Sequence, residues 1–332
     1  MRIKKIIIVF LLVITFTLTG CTQYVKDGKG GIVKESTTGQ SLVSNILCQP
    51  TEKKIINNYE KHDVNIKKLP TCQEFKPSDG GYEGIWSTLF IKPLSWLIIK
   101  IGLLVKNYGL AIILVTIFIR LIIFPISKKS AMQSEGMKAA SGDIKKLQDK
   151  YRNKTSQEDQ MRQAQEMMAI YKKYGINPMS GCLFAFIQMP LFFAFLESLY
   201  RIPAVFEGKF LMYNLGTSPF NALFGNNFSF DHFLNSFSTG QIVYILLPII
   251  VGFVTFFSFK MNSGLNTGGS EDQAKQMKMM MNIMLIFIII ASFTMSTSII
   301  IYWIVGSLFT IIQTAIIRRK KDVRDSKKRS KN

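Results

Sequence analysis

One arginine, Arg120, stands inside the run from Leu110 to Pro125, whose other side chains are almost all aliphatic or aromatic. A guanidinium keeps its proton in a protein. At the centre of a membrane span it costs about 2.5–3.5 kcal/mol on insertion scales. Such a cation faces protein or a wet cavity, and its chemistry is to meet anionic or polar groups at membrane depth. Two amides lie in other apolar runs, Gln188 and Gln313, the latter flanked by Thr310 and Thr314. At ~1.5 Å of rise per residue, Arg120, Gln188 and Gln313 sit ~10, ~15 and ~6 Å from the polar ends of their runs. The expected arrangement is a wet recess that gathers the three. The plainer readings are an interhelical hydrogen bond for each amide and snorkelling to the interface for the arginine. Glu197 is the one carboxylate within reach of the runs. It lies ~28 Å from the polar end of its own run, too far to neutralise Arg120.

No other constellation suggests catalysis. The chain has no phosphate-binding Gly-rich Lys motif, no His-Glu-x-x-His and no Ser/His/Asp arrangement, and its two histidines, His62 and His232, have no partner by spacing. None of the four cysteines has zinc-ligand spacing. The expectation is a protein that is not an enzyme, with no catalytic residue, no metal, no cofactor and no small-molecule substrate. A small-solute transporter would need acidic coupling residues in the spans or a repeated half, and a small-anion site would need a second cation at similar depth. Neither is present.

The elements that must position these residues read as an all-α polytopic membrane protein. It should have five transmembrane helices, an outer-face amphipathic helix and a cytoplasmic helical hairpin. The net charge of +20 over 332 residues would suggest nucleic acid in a soluble protein. Here the basic residues lie between and after long apolar runs, so the membrane reading takes precedence. Arg2, Lys4 and Lys5 precede the apolar stretch Ile6 to Leu18, as in a cleaved signal. Leu18-Thr-Gly-Cys21 then resembles a bacterial lipobox, which makes 1–20 a lipoprotein signal peptide and Cys21 the lipid-modified residue. Residues 21–83 form an extracellular segment, near neutral at nine Lys against eight acids in 22–83, which could be a tether or a small domain. Cys48 and Cys72 lie in it, where a disulfide is permitted; two free thiols fit the sequence equally. Cys182 reads as a packing residue.

Residues 84–106 are apolar but interrupted by Lys92, Pro93, Lys100 and Lys106, with Trp86 and Trp96 as interfacial aromatics. They read as a helix lying in the outer interface, a true span being the alternative. The spans follow at 107–126, 178–200, 240–259, 277–296 and 299–317, with an extracellular loop at 201–239 and a basic tail at 321–332. Segment 127–177 holds 11 Lys and Arg against six acids, and 318–332 holds nine against two. Loop 201–239 has only Arg201 and Lys209. The positive-inside bias therefore puts 127–177 and the tail in the cytoplasm and the N-terminus outside. Within 127–177, Met137, Ala140, Ile144, Leu147 and Tyr151 recur at helical spacing. Thr155-Ser-Gln-Glu158 is a capping-box pattern for a second helix striped by Met161, Ala164, Met168 and Tyr171. Two such stripes make an antiparallel hairpin.

Three motifs resemble one known family, the YidC/Oxa/Alb membrane protein insertases. Asn177-Pro-Met-Ser-Gly-Cys-Leu183 followed by Gln188-Met-Pro-Leu-Phe192 resembles the family's second core span. Tyr302-Trp-Ile-Val-Gly-Ser-Leu-Phe-Thr-Ile-Ile-Gln313 resembles its last, and Ile119-Arg120-Leu121 with Phe124-Pro125 matches the position of its groove arginine. The resemblance covers roughly 84–320, an insertase core, and the lipobox places the chain with the lipoprotein-type branch of Gram-positive bacteria. Phe184 stands where the family usually has Pro, and Leu285 and Met295-Ser-Thr-Ser298 where it usually has Pro and Gly. The resemblance implies a membrane protein insertase and chaperone of the bacterial cell membrane, acting alone or with the Sec translocon. Its clients would be nascent membrane proteins with acidic translocated segments. Arg120, Gln188 and Gln313 would line a hydrophilic groove open to cytoplasm and lipid, and the basic tail would meet the ribosome or anionic membrane lipids.

Overall fold

The computed structural model describes residues 22–36, 38–154, 156–177, 179–226, 228–262 and 271–329, without the side chains of 179–187, 262, 271–274, 277 and 320–329. The signal segment 1–20 and Cys21 lie outside the described residues. Eleven helices in chain order are α1 (Lys53–Lys61), α2 (Gly84–Val105), α3 (Tyr108–Tyr151), α4 (Gln157–Lys173), α5 (Met179–Arg201), α6 (Pro203–Phe206), α7 (Pro219–Phe224), α8 (Phe230–Ser238), α9 (Leu246–Asn262), α10 (Glu271–Thr294) and α11 (Thr297–Arg329). A two-stranded antiparallel ribbon, β1 (Lys209–Phe210) and β2 (Tyr213–Asn214), pairs Lys209 with Asn214 and Phe210 with Tyr213. Among the described residues four helices are long and apolar enough to cross a membrane: α2, α3, Gln241–Met261 and Thr297–Arg319. The apolar part of α10, Lys278–Thr294, is shorter.

Two of these helices run past the ends that hydropathy assigns them. Span 107–126 and the first hairpin helix are one helix of 44 residues with Pro125 inside it. A proline removes one backbone donor, here the partner of the Leu121 carbonyl, and a helix within a membrane tolerates that loss. Ser127 Oγ donates to the Phe124 carbonyl at 3.1 Å. Beyond it the Lys, Ala, Met, Gln and Glu residues are good helix formers, so nothing ends the helix before Tyr151. The last span likewise continues from Thr297 through the basic residues to Arg329. Loop 201–239 is organised as α6, the ribbon, α7 and α8.

The chain falls into two compact units. The first holds the described residues up to Ile117 with Met189–Ile249 and Ile290–Trp303. Its N-terminal part settles the choice between tether and domain. Val25, Leu42, Val43, Ile46, Ile55, Tyr59 and Ile66 form a core that also takes in Phe206. Glu207 accepts from the Thr51 and Glu52 backbone N–H groups at 2.8 and 3.0 Å and from Thr51 Oγ at 2.6 Å. Asn221 donates to the Thr38 carbonyl at 2.9 Å, and a side chain at Gly39 would overlap that amide. The small domain is thus built onto the stretch that follows α5. Cys48 and Cys72 are joined by a disulfide, with Cα atoms 4.8 Å apart.

A charge cluster ties the same unit together. Arg201, 1% exposed, donates to Glu83 Oε2 at 2.5 Å, Ser87 Oγ at 2.8 Å and the Asn45 carbonyl at 2.6 Å, with Glu197 Oε1 at 3.6 Å. Trp86 is buried and donates to Glu197 at 3.1 Å, so its ring packs against protein. Lys92, also buried, donates to the carbonyls of Asp79 and Gly81 at 2.7 Å and pairs with Glu83 at 3.2 Å. Lys100 reaches the Gln73 carbonyl at 3.0 Å. The polar stretch 73–83 therefore lies along α2 for about 12 Å, the rise between residues 92 and 100. The Ser/Thr turn at 296–298 is held in turn by loop 201–239: Thr297 N–H and Oγ donate to the Thr217 carbonyl, and Ser298 N–H to that of Leu215.

The second unit comprises Phe118–Gln188, Ile250–Ile289 and the residues after Ile304. Ser156 caps α4, accepting from the Asp159 N–H at 3.1 Å. Met137, Ala140 and Ile144 of α3 pack against Tyr171 and Ile176, with Met167, Ile170 and Tyr174 at the edge. Lys150 pairs with Glu166 and Lys173 with Asp143. The inner stripe of α4 is thus Met167, Ile170, Tyr171 and Tyr174. Of the expected stripe only Tyr171 belongs to it; Met161, Ala164 and Met168 are exposed. Both registers are apolar at helical spacing, and the pairing face is the one that brings the Tyr174 hydroxyl to Asp143 at 3.0 Å and Glu166 to the Tyr151 hydroxyl of α3 at 2.8 Å.

Candidate functional site: a polar seam in the apolar helices

Arg120 and Ser127 are seven residues apart on α3, and Gly306 and Gln313 are seven apart on α11. Seven residues are nearly two full turns, so each pair shares one helix face. The structure matches the two pairs. A Cβ at Gly306 would lie 2.6 Å from Arg120 Nη2. Ser127 Oγ and the Gln313 amide lie 2.9–3.1 Å apart in reciprocal hydrogen-bond geometry. The glycine lets the guanidinium lie against the α11 backbone. On the other side Arg120 Nη1 donates to Gln188 Oε1 of α5 at 2.9 Å.

The structure therefore brings Arg120 and Gln188 together and places Gln313 two turns further along the seam, about 10 Å away by helical rise. Arg120 and Gln188 are half-buried, while Gln313 is buried. Thr310 and Thr314 bond their own helix, donating to the carbonyls of Gly306 and Thr310. Phe118, Leu121, Ile122 and Ile126 are exposed apolar side chains on the same helix as Arg120, α3. A neutral amide orients the guanidinium, which keeps its proton.

Below the seam α3 and α11 are tied by charge. Arg318 Nε donates to Glu135 Oε1 at 2.6 Å, and Arg318 also donates to the Met261 carbonyl. Lys138 bonds the same two acceptors at 3.2 and 2.6 Å. Burial pushes the Lys138 ammonium below its ordinary value, and Glu135 offsets only part of that. Sequence reasoning did not single out Ser127, Gly306 or Glu135. The heptad offsets from Arg120 and Gln313 were the signal that could have found the first two. Among the described residues no three His, Cys, Asp or Glu side chains are grouped as a metal site.

Gly306→Val should displace the Arg120 side chain and reproduce much of the effect of losing it while leaving the membrane-inserted fold intact. Protease protection of α3 and α11 reports the fold, and the transport assay reports the site. Full activity in Gly306→Val would show that the close approach is dispensable.

Residues 100–325 match the family described as 60Kd inner membrane protein. Among curated proteins, a membrane protein insertase YidC of Oceanobacillus iheyensis is 32% identical over 255 residues, covering 76% of this chain and 91% of the relative. A membrane protein insertase YidC of Alkalihalophilus pseudofirmus is 37% identical over 72% of this chain and 84% of its own. The membrane protein insertase MisCA of Bacillus subtilis is 36% identical over 75% and 86%. The small N-terminal domain lies outside the matched residues 100–325.

Proposed function

Because the chain belongs to the YidC family of membrane protein insertases, a multi-pass bacterial membrane protein, we propose that it inserts nascent membrane proteins through the polar seam around Arg120. The single observation that carries the reading is the half-buried guanidinium of α3, held by the Gln188 amide and laid against Gly306. Arg120 attracts the acidic, short translocated segment of a client at membrane depth. Gln188, Ser127 and Gln313 give that segment hydrogen-bond partners. The client's apolar segment then leaves sideways into lipid, driven by hydrophobic partitioning. No nucleotide and no bond-making chemistry is required of the protein.

The surrounding parts serve the same reading. Cys21 carries a lipid anchor outside, and the basic end of α11 faces the cytoplasm, where ribosomal RNA and anionic lipid are its partners. The Sec translocon assists with some clients. The paired α3 and α4 ends receive the client. Helix α2 lies in the outer interface, although its length would let it cross. Supporting this, Lys92 and Lys100 bond the polar stretch 73–83 along the helix, and a crossing α2 would draw that polar backbone into hydrocarbon.

The test is reconstitution of the purified full chain in liposomes without a Sec translocon, scoring insertion of a single-span client with an acidic tail. Insertion above empty liposomes is expected. Failure with every such client, in vesicles where the chain is correctly inserted, would overturn unaided insertion.

A further inference from the structure

The turn between β1 and β2 is two residues long, Leu211-Met212. Leu211 has φ +53°, the left-handed region that hairpin turns fill with Gly or Asn. Here it carries a large apolar side chain that is 78% exposed, next to Met212 at 65%. A second apolar surface stands on α8. Phe230, Leu234 and Phe237 recur at i, i+4 and i+7 on its outer face, with Phe230 64% and Phe237 58% exposed. The opposite side is packed: Phe233 stacks on Phe224 at 5.3 Å, and Ser236 is buried. Residues 228–245 hold one acid, Asp231, and no Lys or Arg.

Both surfaces sit beside the outer beginnings of helices that can cross a membrane. Asn107, just before α3, donates to the Lys209 carbonyl at 3.3 Å, and Phe210 fills the space a side chain would take at Gly109. Helix α8 ends three residues before Gln241, where the apolar stretch Gln241–Met261 begins, and Leu246 and Ile249 of that stretch are exposed. Apolar and aromatic side chains placed at that level belong in the headgroup and upper acyl region of a bilayer.

We infer that the outer loop rests on the membrane through two apolar feet, the Leu211-Met212 turn and the outer face of α8, which insert into the outer leaflet. The occupant is lipid rather than another protein, because each foot adjoins an apolar helix long enough to cross a membrane, and the α8 foot carries no Lys or Arg that would select a charged partner, while Lys209 beside the turn suits an anionic head group. The strained, exposed leucine then has a use that a glycine could not supply. The inference rests on α3 and α9 crossing the membrane and is independent of the role of Arg120.

The test uses the full chain with Cys21→Ser and Cys182→Ser, reconstituted in phosphatidylethanolamine and phosphatidylglycerol vesicles. Single spin labels go in at Leu211→Cys, Leu234→Cys or Phe237→Cys, with Lys53→Cys on exposed α1 as the aqueous reference. The three labels at the feet should collide freely with oxygen and be shielded from a water-soluble nickel chelate, the inverse of Lys53→Cys. Aqueous accessibility at both feet would overturn the inference. So would spin–spin broadening that reports a second copy, or labels immobilised by a protein contact and shielded from oxygen. A variant that loses the wild-type melting transition is replaced by its neighbour, Met212→Cys or Phe230→Cys, so that each foot is read in a folded chain.

Discussion

Arg120→Ala should slow insertion of a single-span client with an acidic translocated tail by roughly thirtyfold, and Arg120→Lys should keep much of the rate. Two unit charges about 4 Å apart attract by about 4 kcal/mol at an effective dielectric near 20. Water in the seam reduces that, and half of it, about 2 kcal/mol, is already roughly thirtyfold in rate. Lysine preserves the charge but loses the planar fork that meets Gln188 and lies flat against Gly306, so a several-fold loss is expected rather than the full one. Clients without acidic tails should be nearly indifferent to either change. Initial insertion rates in liposomes check both variants; a wild-type rate for Arg120→Ala with acidic tails would remove the electrostatic role.

The second large effect is structural. Arg201→Met should destabilise the first compact unit by about 2–4 kcal/mol, toward the lower side of the range for breaking a buried ion pair because Glu83 stays 32% exposed. The variant leaves Glu83 and Glu197 close together without their guanidinium and removes the bond to Asn45 that holds the small domain. Protease sensitivity of residues 22–83 and the midpoint of thermal unfolding report the loss. The same cluster sets a pH dependence. Burial raises the Glu83 carboxyl, but the charge and hydrogen bond of Arg201, with Lys92, outweigh it and bring the group below its ordinary 4.5. A carboxyl lowered on folding stabilises the fold fully above its unfolded value and loses that contribution as pH falls through the lowered one. The first unit of the wild type should therefore weaken below about pH 4.5, and the acid-dependent part should shrink in Arg201→Met. An unchanged midpoint and an unchanged acid profile in the variant would mean that the cluster contributes nothing.

The apolar helices were legible because hydropathy and charge bias are carried by whole segments. Arg120 was legible because a cation in such a segment is rare. The helix ends were not, since Pro125 interrupts the pattern of residues without interrupting the helix, and the basic residues after Ile317 extend α11 instead of ending it. Gln188 meeting Arg120 follows from similar depth, but Gln313 meeting Ser127 depends on the register of α3 against α11, which no single segment encodes. The partners of Arg201 come from three stretches, around Asn45, Glu83 to Ser87 and Glu197, and only the folded chain brings them together. The small domain was illegible for a related reason: its core borrows Phe206 from the other side of α5, so residues 22–83 alone look too polar to fold.

The most direct test of the central claim is a double-mutant cycle in liposomes without a Sec translocon. It crosses wild type and Arg120→Ala with a client tail bearing Asp and the same tail bearing Asn, and reads the four insertion rates. If Arg120 acts by attracting the tail's charge, the two changes are coupled: losing Arg120 slows the Asp client by roughly thirtyfold, as about 2 kcal/mol of lost attraction implies, and scarcely slows the Asn client. Equal slowing of both clients, so that the effects simply add, would contradict the account and leave Arg120 as a structural or hydrating residue.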